Sequence, residues 1–196
     1  MSKKYLLALL CLGLIVIIYI FVASPSPAPT PTPVSTPAPT PGSISLEDKI
    51  CATVSAHYGD CKKVIITDMN SNIAFAEMDS GIVPVLFSKD HTEVVKMINP
   101  LDFQEWKEES GDRGPIGWQV RNNVQKDFSM ISGFAEDDAK TIIINSEGDI
   151  QPNKFFVRDN LWVWYITSKD KFTLPVKVTV YDAKGHIIFG GNKGDT

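Results

Sequence analysis

From Tyr5 to Leu46 the chain has no charged side chain, and this gap divides the sequence into two unlike parts. All 23 acids lie beyond it, together with 17 of the 19 bases; only Lys3 and Lys4 come before it. The part after Leu46 therefore carries a net charge of −6, from those 23 acids and 17 bases. An acidic balance argues against a generic nucleic-acid binder and suits solubility. Histidine is scarce too. His57, His91 and His186 fall in three separate stretches without H-x-x-x-H spacing, so neither a zinc site nor a catalytic triad is written locally. No glycine-rich loop follows a strand-like run, which argues against nucleotide binding. No cofactor and no metal are expected.

The uncharged part has two sections. Tyr5 to Ala23, YLLALLCLGLIVIIYIFVA, is an unbroken apolar run. As a helix it would measure roughly 28 Å, close to the hydrocarbon thickness of a bilayer. A core helix would carry a polar face, and this run carries none. Residues 5–23 are therefore expected to be a transmembrane signal-anchor. Lys3 and Lys4 hold the tail at residues 1–4 in the cytoplasm, and everything after Ala23 lies outside. Pro25 directly behind Val22-Ala23-Ser24 makes a poor cleavage context, which favours retention over removal. Leu10 before Cys11 is too large for a lipoprotein signal.

Residues 24–44 form the second section, rich in Pro, Thr and Ser. Eight of the thirteen prolines fall in SPSPAPTPTPVSTPAPTPG, residues 24–42. Proline fixes φ and donates no hydrogen bond, so such a tract stays extended as polyproline II. At about 3.1 Å per residue it reaches roughly 55–60 Å, a stalk that holds a folded part clear of the membrane.

From Ser45 onward the chain reads as mainly β with one N-terminal amphipathic helix, an α+β pattern. Ser45 is a helix N-cap with acids in the first turn, Leu46, Ile50, Val54 and Tyr58 recur at helical spacing, and Gly59 stops the helix. β-Branched runs and turns then give an antiparallel meander, so residues 45–99 read as a helix plus β-meander. Pro84 cannot donate to a ladder, which places the third strand at an edge or a bulge. Residues 100–126 are polar, with four glycines and prolines close together at 111–117, and read as a connecting loop with a short strand near Ile116–Val120. From Phe128 to Phe189 the pattern is β throughout. Cys51 and Cys61 lie on the outer side, where disulfides persist, and are expected to pair.

Two stretches carry a family resemblance. Gly133-Phe134-Ala135-Glu136-Asp137-Asp138 leads into a β-branched strand, and Val176-Lys177-Val178-Thr179-Val180-Tyr181-Asp182-Ala183-Lys184-Gly185 ends in a hairpin. Over about residues 128–190 these resemble the opening and closing patterns of bacterial immunoglobulin-like surface domains, although Tyr181 stands where those domains commonly have a small residue. The resemblance implies an immunoglobulin-like β half at 127–192 that scaffolds or adheres and carries no catalytic residues of its own.

Several side chains could bear chemistry. Asp68-Met69-Asn70-Ser71-Asn72 offers oxygens at positions 1, 3 and 5 of a calcium loop, but Ile73 stands where the turn needs glycine, so a side-chain-capped turn is expected. In Leu161–Ile166 the apolar residues alternate onto both faces, which points Trp162 and Trp164 into a core. Trp106 and Trp118, in the 100–126 region, are the better ligand candidates. Glu105, Glu108 and Glu109 cluster beside them. The expectation is a membrane-anchored extracytoplasmic protein, a non-catalytic binding or scaffolding module for a cell-wall polymer or another envelope protein. The alternative is an envelope glycan hydrolase using those loop carboxylates, which would need to stand about 5–10 Å apart.

Overall fold

A computed structural model describes residues 44–191. The expected tail, membrane anchor and nearly all of the stalk lie outside the described residues. Among those described, no helix is long and apolar enough to cross a membrane. The fold is α+β, mostly antiparallel sheet with two helices.

The first helix, α1, spans Leu46–Tyr58. The Asp48 amide donates to Ser45 Oγ at 3.1 Å, and the Ser45 amide donates to the Asp48 carboxylate at 3.4 Å. This capping box satisfies amides that the helix itself leaves unpaired. Gly59, at φ 100°, ends the helix. Ile50 and Val54 are wholly buried against Ala74 and Ala76, whose small side chains let the helix lie close to the sheet, while Tyr58 stays exposed. A disulfide joins Cys51 in α1 to Cys61.

That sheet contains β1 (Cys61–Asp68), β2 (Ile73–Met78), β3 (Gly81–Phe87) and β4 (Val94–Met97) in the order β1-β2-β3-β4, and β5 (Leu101–Asp102) also pairs with β3. Of the two places expected for Pro84, the edge is overturned, because β3 is an inner strand, while the irregularity is present: the pairing shifts by one residue between Val85↔Met97 and Ile82↔Leu101. The amide and carbonyl of one residue in an antiparallel strand point to the same neighbour. The Pro84 carbonyl accepts from Ile98 N at 2.8 Å, so the missing N–H faces the junction between β4 and β5, where no ladder bond is interrupted.

Residues 100–126 also differ from expectation. They contain β5, a second helix α2 (Phe103–Arg113) and β6 (Gln119–Gln125), not a long loop. β6 joins β7 (Phe128–Glu136), β9 (Asn153–Arg158) and β10 (Leu161–Ser168) in the order β6-β7-β10-β9. A third sheet has the order β12-β11-β8, from β8 (Thr141–Ile144), β11 (Val178–Tyr181) and β12 (Ile187–Phe189).

Side-chain parity stacks these parts in layers. From β7, Phe128, Met130 and Phe134 meet Ile73 and Phe75 of β2 and Ile82 and Leu86 of β3. Ile131 and Ala135, from the opposite face of β7, meet Ile142, Ile144, Val178 and Val180 of the third sheet. The order is therefore α1, first sheet, middle sheet, third sheet, with the middle sheet buried on both faces. Aromatic rings fill the first of these seams: Phe75 lies 5.0 Å from Phe155 and 4.7 Å from Tyr165. Polar bonds close the rim. Tyr165 Oη donates to Asp68 Oδ2 at 3.0 Å, and the nearly buried Glu77 carboxylate lies 3.5 Å from Lys63 Nζ and 3.9 Å from Arg158 Nε. Residues 44–191 thus form one packed body.

Candidate functional site

Asp102 starts α2. Its Oδ1 accepts from the amides of Gln104 at 2.7 Å and Glu105 at 2.9 Å. Gly114, at φ 87°, ends the helix one residue before Pro115. Asp102, then the neighbours Glu105 and Trp106, then Glu109 and Arg113 follow at steps of three or four residues, which puts them on one side of the helix. That side walls a groove of about 90 Å³, closed opposite by Gly117, Trp118 and Gln119.

Two glycines let the far wall come so close. Segment 115–118 crosses β7, with Gly117 N donating to Phe134 O at 3.0 Å and Glu136 N to Pro115 O at 2.9 Å. A Cβ on Gly133 would lie 1.8 Å from Gly117 O, so only glycine fits there. Gly117 in turn leaves room for the Trp106 ring, which a Cβ would approach to 3.0 Å.

The structure brings four of the five candidates together: Trp106, Trp118, Glu105 and Glu109 all line the groove. Glu108 is left out; its Oε1 accepts from Gln104 Nε2 at 2.6 Å on another side of the helix. Trp106 sits in α2, contrary to its expected place in a loop, while Trp118 lies in the connection just before β6. Trp106 packs 5.8 Å from Phe134, and Trp118 lies between Trp164, at 6.3 Å, and Phe189, at 5.9 Å. Glu109 is held by Arg113 at 2.6 Å, while Glu105 enters no ion pair among the described residues. Sequence reasoning missed Arg113, Gln119 and the two glycines. The four-residue step from Glu109 to Arg113 was the available signal for the first.

The remaining candidates are tied into the fold. Asp68 Oδ1 accepts from the amides of Asn70 and Ser71, making the turn, and its other oxygen takes the Tyr165 proton donor. Burial, then the Asp68 charge and hydrogen bond, push the Tyr165 phenol well above its usual range. Trp164 is wholly buried and donates to Phe134 O at 3.2 Å. Trp162 donates to Asp137 Oδ1 at 3.2 Å beneath Lys154, whose Nζ lies 4.7 Å above the ring. Burial, then the neighbouring Lys140, hold the Lys154 ammonium below its usual range. His186 bonds Asp182 at 3.2 Å, His91 meets the edge of Phe87, and His57 bonds Thr53 O. Among the described residues no group of three His, Cys, Asp or Glu could hold a metal ion.

The chain matches no family model, no curated protein and no solved structure. Carboxylates that share catalysis at a glycosidic bond flank it from two sides. Here Glu105 and Glu109 stand one turn apart on one wall, and the space in front of them is well below the roughly 300–1,000 Å³ of ordinary small-molecule sites.

Proposed function

We propose that this chain is a membrane-anchored extracytoplasmic protein whose residues 44–191 act as a non-catalytic binding or scaffolding module at the cell envelope. The placement of the carboxylates carries this reading over hydrolysis. They lie on one side of one helix, one of them is neutralised by Arg113, and no carboxylate faces them across the groove. The Cys51–Cys61 disulfide is supporting chemistry, since such bonds persist in oxidising compartments.

Strand order supports an immunoglobulin-type assignment for the last seven strands. With β6 to β12 taken as A to G, β6-β7-β10-β9 corresponds to A-B-E-D and β12-β11-β8 to G-F-C, the constant-type arrangement. The sandwich then begins at Gln119, earlier than the resemblance in sequence implied, and that extra strand completes the seven. Such sandwiches commonly serve as display scaffolds, an inference by analogy of fold. The hydrolase alternative keeps one observation in its favour, the company of Glu105 and Glu109 with two tryptophans.

Incubating the purified full chain with cell-wall glycan and measuring released reducing ends separates the two. The binding reading expects no release. Release that disappears in Glu105→Gln or Glu109→Gln would replace it with the hydrolase reading.

A further inference from the structure

The molecule is electrically uneven from end to end. β7 runs nine residues from Phe128 to Glu136, which at about 3.3–3.4 Å per residue separates its ends by roughly 30 Å. At the Glu136 end, beside α2, a recess is lined by Glu136, Asp137, Asp138 and Asp159 against Lys107 and Arg158. The groove next to it contributes Asp102, Glu105 and Glu109 against Arg113. That end is acidic, like the chain as a whole.

At the Phe128 end the lining of a cleft has the opposite sign, although Asp90 and Asp170 follow Lys89 and Lys169 outside that lining. There the β1–β2 turn, the loop after β3, the β6–β7 turn and the loop after β10 converge around an open cleft of about 670 Å³, the size of a ligand site. Lys89, Lys126 and Lys169 line it, each from a different connection, against one acid, Asp127. The three lysines are exposed, and among the described residues none is held in an ion pair. The ion-paired bases Lys62, Lys63, Arg113, Lys140 and Arg158 lie elsewhere. Hydroxyl and amide side chains, among them Asn70, Ser71 and Ser168, fill the space between.

We infer that this cleft binds a linear phosphate-bearing polymer, with successive phosphate groups against Lys89, Lys126 and Lys169. Three separated point charges in an open trough suit a ligand whose charges repeat along its length. Lysine binds phosphate as a point charge, without the paired geometry that arginine imposes on a planar anion. The acidic far end repels the same polymer and so restricts its approach to this face. The inference rests on the binding-module reading and names its ligand class.

The test uses the full chain purified in detergent and inorganic polyphosphate at low salt. The triple variant Lys89→Glu, Lys126→Glu, Lys169→Glu is expected to weaken binding at least about tenfold. The triple variant Lys107→Glu, Lys177→Glu, Lys184→Glu alters net charge equally at other exposed positions and is expected to change it far less. Log affinity should fall against log salt with a slope of about −2 to −3, and Lys126→Gln alone should reduce that slope by roughly one. Equal losses in the two triple variants, no polyphosphate binding, or binding to phosphatidylglycerol vesicles without polyphosphate binding would each overturn the inference. The assay reads the cleft wherever the protein resides, so it can fail while the envelope location stands, and the reverse.

Discussion

The two helices are nearly equal in length, thirteen residues against eleven, and both begin on a capping side chain and stop at a glycine, yet they do different work. α1 buries Ile50 and Val54 completely and covers a whole sheet face. α2 buries no residue fully; Phe103 and Trp106 pack partly against the first seam and the rest of the helix faces the groove or solvent. The difference shows how a helix can be specified by its ends and by one neighbouring aromatic seam, without an apolar stripe of its own. It also separates two kinds of residue, those that hold the fold and those available for binding.

The largest expected effect lies in α1. Ile50→Ala leaves a cavity under a wholly buried side chain and should cost about 2–5 kcal/mol in urea unfolding. A loss below about 1 kcal/mol would remove the structural half of the contrast. Next is the covalent tie, which has no counterpart in α2. Replacing Cys51 and Cys61 with serine frees a loop of sequence separation 10, and the chain-entropy relation gives a loss of about 2–3 kcal/mol, read as a fall in the unfolding midpoint. For α2, Asp102→Ala removes the acceptor for two helix amides and should cost about 1 kcal/mol. Its signature is local. Amide exchange should speed up in Phe103–Arg113 and stay slow in α1; uniform acceleration would mean that α2 is part of the common core.

Legibility in the sequence follows the same contrast. The limits of α1 could be read because cap, acids, apolar stripe and terminal glycine all agree. β2 was also legible from Ile73 to Met78, between two turn signals. Alternation alone could place Trp162 and Trp164 in a core, since β10 is apolar on both faces; that this core lies against the third sheet came only from the structure. α2 was hidden because Gln104, Glu105, Lys107, Glu108 and Glu109 give no apolar period, and because Gly111, Gly114, Pro115 and Gly117 suggested a loop. The spacing of Asp102 to Glu105, a cap followed three residues on by glutamate, was the signal that carried it. Pro84 was half legible, since it marks an irregularity in the pairing but not an edge. Its position on an inner strand depends on a break between β4 and β5, which no local pattern records. The groove could not be read either, since Gly133 meets Gly117 only through the tertiary crossing of two segments.

The smallest effect concerns acid pH at the exposed rim. A hydrogen bond and charge from Lys62 hold the Asp79 carboxyl below its usual range, and a hydrogen bond from Lys140, then one from Trp162, do the same for Asp137. A depressed folded value stabilises the fold above the unfolded value near 3.8 and loses that contribution as pH falls through the lowered value. Stability should therefore decline below about pH 4. Asp79→Asn should make that decline shallower while leaving the neutral midpoint almost unchanged. An unaltered acid limb would contradict the assignment.

We propose, above all, that the described module is carried outside a membrane by the segment before it. Lys184 sits in the exposed turn between β11 and β12, so Lys184→Cys places a reporter thiol on the module surface. Treating intact cells with a membrane-impermeant maleimide should label this cysteine before lysis, on a chain that sediments with membranes. Labelling that appears only after lysis would contradict the account.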